Sequence, residues 1–497
     1  MRPVYRFKRH FSNLNERVKA LKDDLNTVQA SIQVQPMNLE LATKEKDLII
    51  KYNKVLHHEE ASLKKKACDE LITLGDGNNT YFFRKMKARA GRNRIHRLTD
   101  KDGVLWNDEE QIKEIILQYY QDLQGKEHCE EMVTSDLLNG LQYSAIKEDD
   151  MSDLVKDVTV EEIKGALFSI KDNKAAGPDG FSAYFFKKNW DVIQEDFCLA
   201  VLNFFRTGKM LRCVNTTNIC LVPKKEYPSS LAYYRLIACT NVIYKVIVKV
   251  MVNRLKNIFP DIISPNQFVK ERNIADNILL SHEMVRKYGR KSISSRSTIK
   301  IDLTKAYDFV RWEAIEHMMR IKGFPGKMID WIKACYSTLF YSIIVSGEPH
   351  GFFNGTREIR QGDPLSPLLF VLVMEIFSKL MDSKVLDGFT PHPKCKDPLV
   401  THLCYADDLM IFSAGDVESA VAIKKVLDDF KKNSGLSTDV LKSTVSYGGG
   451  SDIEKEEFAC TLGMELNTSC LTYLGLPLLS SRLTRSDCLI CGKETTD

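Results

Sequence analysis

The chain contains no apolar run of 18 residues, so it offers no candidate for a membrane-spanning helix and no expected membrane partner. Its first residues, Met1-Arg2-Pro3-Val4-Tyr5-Arg6, are basic but lack the apolar core of a secretory signal peptide. No repeat with a 20–50-residue period recurs, which argues against a solenoid or propeller. The thirteen cysteines are scattered, a usage that suits free thiols in a reducing compartment. His392, Cys395, His402 and Cys404 could be drawn as a zinc set. Their spacing is irregular, however, and two of them fall on a predicted strand. Cys488 and Cys491 form a lone CxxC without a second pair.

What remains is ordinary for a globular protein: 497 residues, 44% hydrophobic and 27% charged. That length allows roughly two to four domains and at least one large core. The net charge of +4 hides a segmented pattern. Residues 1–100 carry 21 Lys/Arg against 12 Asp/Glu, a net of +9; residues 101–164 carry 6 against 17, a net of −11. A basic arm with a mildly basic body suits a nucleic-acid partner. The acidic stretch reads as a connector.

Phe11, Leu14, Val18, Leu21, Leu25, Val28 and Ile32 alternate spacings of three and four, an a/d stripe stopped at Gln35-Pro36. A second helical stretch runs from about Leu39 to Leu71. The expected arrangement is an antiparallel pair, with a dimeric coiled coil as the alternative. Tyr81, Phe82 and Phe83 precede Arg84, Lys85, Lys87, Arg89, Arg92, Arg94 and Arg97. Seven cations in fourteen residues with no acid make a candidate phosphate-binding stripe beside aromatic rings; a solvated basic helix face is the bland alternative. Leu98 to Trp106, around Asp102-Gly103, reads as a small hairpin. Gly177-Pro178-Asp179-Gly180 is a strong turn signal. Beyond it helices and short strands alternate to about Leu478, in an order unlike a doubly wound βαβ sheet. The fold class expected is α+β, an antiparallel sheet covered by helices.

Tyr405-Ala406-Asp407-Asp408 is the most informative stretch. Leu399, Val400, Leu403 and Cys404 lead in, and Leu409, Met410, Ile411 and Phe412 lead out. Two apolar runs around an acidic pair predict a β-hairpin with carboxylates at its turn. Unpaired carboxylates are expensive to bury, so such a pair beside apolar strands wants a cation. Two Mg²⁺ ions about 4 Å apart are the usual device for an in-line phosphoryl displacement. Alone, an Asp-Asp turn is commonly just solvated. A second element, Lys300-Ile301-Asp302-Leu303-Thr304-Lys305-Ala306-Tyr307-Asp308, ends a predicted strand at Asp302. It enters a predicted helix with Tyr307, Val310, Ala314, Ile315 and Met318 on one face and Gly323 as its stop. A third, Arg360-Gln361-Gly362-Asp363-Pro364-Leu365-Ser366-Pro367, opens an apolar helix; a fourth is Leu474-Gly475-Leu476-Pro477-Leu478.

In this order the four elements resemble a reverse transcriptase, in detail the polymerases of plant LINE-type (non-LTR) retrotransposons, over nearly the whole chain. The resemblance implies a right-hand polymerase fold with fingers, palm and a truncated thumb behind an N-terminal helical arm. It implies RNA-directed DNA synthesis from an RNA template, a DNA primer and deoxynucleoside triphosphates. Asp302, Asp407 and Asp408 would hold two Mg²⁺ ions, and the backbone at Leu303 would meet the triphosphate. Tyr307 matches the steric gate that excludes a ribose 2′-hydroxyl; without the motif it would read as a core tyrosine. Lys224 and Arg235 match basic residues of the fingers hairpin, where arginine offers fork geometry to phosphate. Gln361 and Gly362 match the segment beside the incoming nucleotide, with glycine permitting close backbone approach. Lys442 matches a lysine that serves the pyrophosphate, and Leu474 and Gly475 match the primer grip.

The sequence also departs from the family pattern. Leu236 stands where proline usually follows the arginine, Ala176 replaces a proline, and Asp439 an asparagine. Asn266-Gln267-Phe268-Val269-Lys270-Glu271-Arg272 is two residues short after Gln267, with Glu271 for glycine. Only 19 residues follow Leu478, fewer than a helical thumb needs, and no endonuclease, RNase H or zinc-knuckle segment is evident. The expected organisation is a helical arm at 1–97, an acidic connecting segment at 98–164, fingers and palm at 165–478, and a thumb remnant or tail at 479–497. Two rivals to polymerase function are a catalytically inactive nucleic-acid-binding remnant and an intron-maturase-like protein. The LINE-like N-terminal segment argues against the second.

Overall fold

The computed structural model of the protein describes residues 14–67, 79–124, 138–267, 274–288, 293–356, 358–385, 387–397, 399–467, 471–474 and 476–478. The chain divides into two compact units, Met1–Leu98 with Pro223–Ser229, and Thr99–Val222 with Ser230–Asp497. In the first unit the a/d stripe forms α1 (Leu14–Val34), which packs against α2 (Leu39–Ala67). Asn38 reverses the chain between them: its Oδ1 accepts the N–H groups of Glu40 and Leu41, capping α2. Val28, Val55 and Leu63 are buried, and Gln29 donates to Glu45 at 2.9 Å. The basic run lies on and just past α3 (Asn79–Asn93).

At the boundary, β1 (Leu98–Thr99) and β2 (Leu105–Trp106) form a hairpin. Its loop is organised by the Asp100 carboxylate, which accepts from the N–H groups of Asp102 and Val104 and from Trp106 Nε1. The acidic stretch that follows is built into the second unit. It forms α4 (Glu109–Gln124), α5 (Glu148–Val155) and α6 (Val160–Phe168), the last opened by a Thr159/Glu162 capping box. Short α7 (Ala183–Lys188) and α8 (Trp190–Thr207) lead to the buried helix α9 (Val242–Ile262). Arg254 of α9 donates to both Glu162 carboxylate oxygens and to the carbonyls of Leu154 and Lys156, fastening α5 and α6 to it. At the predicted 177–180 turn, a Cβ on Gly177 would lie 2.3 Å from Asn241 Oδ1, so only glycine fits.

Two sheets organise the rest. One has the strand order β4 (Tyr234–Thr240), β3 (Thr216–Pro223), β6 (Phe340–Val345), β7 (Glu348–Asn354). The other runs β11 (Glu465–Leu466), β10 (Thr444–Gly448), β5 (Arg296–Asp302), β9 (Asp408–Ser413), β8 (His402–Tyr405). The antiparallel expectation holds for β10, β5, β9 and β8; β11 joins β10 in parallel, and β3 pairs with β6 in parallel. Leu409 to Phe412 are all buried, so β9 is covered on both faces, while Ile299 and Ile301 bury one face of β5. Helices α10 (Ile274–Val285), α11 (Trp312–Ile321), α12 (Gly326–Ser337), α13 (Ser366–Lys384), α14 (Val417–Ser434) and α15 (Asp452–Leu462) complete the unit, with a small hairpin of β12 (Leu471–Tyr473) and β13 (Leu476–Leu478).

One predicted element is corrected. The helix expected directly after Asp302 begins only at Trp312; Tyr307 lies in a turn instead. Lys305 there takes φ +42°, and Asp308 N–H closes onto Lys305 O at 2.8 Å, a local path that a regular helix cannot follow.

Candidate active site

The central strands of the larger sheet carry the acidic residues to one end. Tyr405 and Asp408 close the β8–β9 hairpin as partners, leaving Ala406 and Asp407 at the tip. Ala406 takes φ +52° at the first tip position, a place glycine usually fills. On the other side of β9, Asp302 sits directly opposite Asp408. The structure therefore brings Asp302, Asp407 and Asp408 together at the end of three adjoining strands.

Burial raises the carboxyl pKa of Asp302 and of Asp408 above the ordinary aspartate range. Lys442 opposes the rise at Asp302 and Lys300 opposes it at Asp408, while neighbouring aspartates, Asp407 among them, add to it at both. The Lys442 ammonium lies 3.8 Å from Asp302 Oδ1 and 2.6 Å from Asp439 Oδ2. That hydrogen bond raises the pKa of Lys442 and holds Asp439 below the usual range. The end of β5 is fixed by its backbone: Asp302 N–H donates to Ser443 Oγ at 3.1 Å, and Asp302 O accepts from Asp439 N–H at 2.8 Å. Among the described residues no group of three or more His, Cys, Asp or Glu side chains is gathered into a ready-made metal cage.

The other predicted positions are distributed as follows. Leu303 is buried and bridges to Thr438. The half-buried Tyr307 ring stacks on Phe370 with centroids 5.2 Å apart; burial first, then the Asp407 carboxylate, raises its phenol pKa. Tyr307 thus faces the acidic end of the sheet although it is not helical. Gln361 O accepts from Ala238 N–H at 3.0 Å, tying its segment to β4, where Arg235 is exposed. Gly362 adopts φ +98°. Leu474, at φ +51°, packs on the cluster of Leu403, Met410, Phe412 and Tyr473 under the hairpin. Lys224 is exposed and belongs to the first unit. In that unit Arg84, Lys87, Arg92, Arg94 and Arg97 are exposed, and Lys85 lies over the Tyr81 ring at 5.8 Å. Helical spacing spreads Arg84, Lys85, Lys87 and Arg92 over about half the circumference of α3 rather than along a narrow stripe. The side chain of Arg89, Gly475, the shortened segment after Gln267, Cys488, Cys491 and residues 479–497 lie outside the described residues.

The sequence reading missed the buried polar groups beneath the site. Arg360 and Asp363 of the third motif are buried. Arg360 donates to the Asn215 carbonyl and side chain and lies 4.3 Å over the Tyr244 ring, while Tyr244 donates to Asp363 at 2.5 Å. Lys322 and Glu375 form an ion pair at 2.7 Å with both side chains fully buried. Glu375 also accepts from Ser264 N–H and Gln267 Nε2, and Gln267 reaches Ser378, which bonds His402 of β8. Asn266 O takes the Cys404 N–H at 2.9 Å. Residues 266–267 therefore brace the strand that leads into the acidic turn. His392 and Cys395, the other members of the discounted zinc set, are engaged locally, His392 Nδ1 by Lys394 N–H and Cys395 by Met284 sulfur. Tyr119 of α4 holds Lys305, accepting its ammonium at 2.6 Å.

Residues 222–478 match the family model described as reverse transcriptase (RNA-dependent DNA polymerase). The chain belongs to the reverse transcriptase family. The matched span runs from the end of β3 through β13 and contains all three aspartates. A Xenopus laevis relative, the transposon TX1 uncharacterized 149 kDa protein, is 25% identical over 384 residues, 75% of this chain and 29% of its own length. The Drosophila melanogaster Pol polyprotein from the type-2 retrotransposable element R2DM is 22% identical over 272 residues, 54% of this chain and 24% of its own. An uncharacterized mitochondrial protein of Arabidopsis thaliana is 38% identical over 76 residues, 15% of this chain and 61% of its own. These relatives make it a reverse transcriptase domain of the non-LTR retrotransposon type. The reverse transcriptase chain spans less than a third of the TX1 and R2DM proteins.

Proposed function

We propose that this chain is the polymerase portion of a LINE-type element of plant origin and extends a DNA 3′-hydroxyl on an RNA template. The observation that carries the reading is the cross-strand pair Asp302–Asp408 with Asp407 at the adjoining tip, inside a reverse transcriptase domain. In this reading residues 165–478 act as fingers and palm of a right-hand fold and residues 1–97 as a nucleic-acid-binding arm. The donor set fits hard divalent cations. It consists of carboxylates alone, and burial leaves Asp302 and Asp408 reluctant to ionise without more positive charge. Asp302, Asp407 and Asp408 would hold two Mg²⁺ ions. Bound there, the metal would lower the pKa of the primer hydroxyl and neutralise charge on the leaving pyrophosphate.

The protein's own groups would do the rest. Lys442, already between Asp302 and Asp439, would place a cation where the pyrophosphate departs. Tyr307, held flat against Phe370 and facing Asp407, would fill the space a 2′-hydroxyl needs. Leu303 backbone, Gln361 and Gly362 would frame the nucleotide, Lys224 and Arg235 its phosphates, and Leu474 with Gly475 the primer end. The test is primer extension on an RNA template with Mg²⁺, using deoxynucleoside triphosphates. Asp407→Asn should abolish extension while RNA binding persists. Joint loss of binding and folding would mean that Asp407 is structural. RNA binding without extension by the unaltered chain would favour the rival reading, an inactive binding remnant.

A further inference from the structure

We propose that Cys220 and Cys239 form a peroxide-reactive dithiol that closes to a disulfide between β3 and β4. The two sulfurs lie 3.8 Å apart on neighbouring strands of one sheet. A disulfide needs a separation of about 2.0 Å, so the sulfurs must approach by about 2 Å, which side-chain rotation on adjacent strands supplies. The two thiols are not equivalent. Cys239 is lowered to about 7, first by the hydrogen bond from Cys220 and then by the Lys245 ammonium, against its burial. Cys220, sharing that hydrogen bond, is pushed up. Cys239 is itself buried, and the half-buried Cys220 beside it gives a small oxidant its way to the pair. Cys335, Cys395 and Cys404 are buried too, but unlike that of Cys239 their thiols are raised.

The chemistry follows from that asymmetry. The Cys239 thiolate attacks one oxygen of hydrogen peroxide; the S–O bond forms, the O–O bond breaks, and hydroxide leaves and takes up a proton. The Cys220 sulfur then attacks the Cys239 sulfur, its proton leaving with the displaced hydroxyl as water. Two thiols lose two electrons and two protons, and one peroxide becomes two waters. Ala238, next to Cys239, donates the N–H that holds Gln361 O, so the link would lock the strand that supports the third motif.

The experiment treats the full chain with a few equivalents of hydrogen peroxide, blocks residual thiols, and maps peptides without reduction. The expected product joins the peptides of Cys220 and Cys239, is lighter by two hydrogens, and separates with dithiothreitol. Cys220→Ser should lose it and leave Cys239 oxidised further; Cys239→Ala, checked for folding by circular dichroism, should lose it as well. Lys245→Met should slow linkage several-fold at neutral pH. Oxidation of the exposed Cys213 and Cys460 with no 220–239 link in the unaltered chain would overturn the proposal. Equal linkage rates with and without Lys245 would overturn the role given to the Cys239 thiolate. Neither readout depends on polymerase activity.

Discussion

Replacing Asp408 by asparagine should make the metal-free protein slightly more stable while ending nucleotide addition. Asp302 and Asp408 stand directly opposite one another, and burial raises both carboxyl pKa values. Like charges in such a cross-strand position destabilise a sheet by about 0.2–1 kcal/mol, and asparagine removes one charge with little change of shape. The sign follows from linkage. An acid whose folded pKa is raised holds its proton more tightly folded than unfolded. Its penalty is absent below the unfolded value of about 3.9 and complete once the pH exceeds the raised folded value. The advantage of Asp408→Asn in EDTA should therefore be present at pH 7 and fade toward pH 4. For a chain of this length it amounts to about 1–2 °C in melting temperature. Mg²⁺ at ten times its dissociation constant should stabilise the unaltered protein by about 1.4 kcal/mol and the variant far less. Scanning calorimetry in EDTA and in Mg²⁺ should thus show the two proteins exchanging rank. A variant less stable in EDTA, or an equal gain from Mg²⁺ in both, would refute the reasoning.

Lys322→Met should cost about 3–5 kcal/mol in urea unfolding because it strands the buried Glu375 carboxylate, and adding Glu375→Leu should recover much of the loss; strictly additive losses would deny the coupling. Tyr307→Ala should let ribonucleotides compete with deoxyribonucleotides in single-nucleotide addition, and unchanged sugar discrimination would remove the gate assignment. Deleting residues 1–97 should weaken RNA binding and flatten its salt dependence by about 0.7–0.9 in log–log slope per lost phosphate contact; an unaltered slope would return the basic run to a solvated helix surface.

The acidic hairpin was legible because everything that defines it is local: two apolar runs, a short turn, and the alternation of a strand. The helical pair at the N-terminus was legible for the same reason. The placement of Tyr307 was not, since the spacing of Tyr307, Val310 and Ala314 imitates a helix while Lys305 turns the backbone left-handed. Gln267 stood out in the sequence only as the edge of a shortened segment, yet its bonds go to Glu375 and Ser378, more than 100 residues away. Lys322 precedes the Gly323 stop, and nothing in its neighbours along the chain marks it as enclosed; only the tertiary fold reveals that. Arg360 and Asp363 were noticed as part of a motif, but no pattern along the chain separates a charge kept for chemistry from one kept for the interior.

The hairpin that presents the aspartates is a counting device. Tyr405 pairs with Asp408 across a tip of two residues, and β9 continues from Asp408 in strict alternation against β5. An odd insertion or deletion that β9 absorbs by sliding on β5 would put Leu409 or Asp407 opposite Asp302 and turn the whole apolar strand inside out. An even change that lengthens the tip would leave parity intact and merely move Asp407. Among decayed copies of such an element, codon-sized lesions at this turn should therefore be sorted by parity before they are sorted by size.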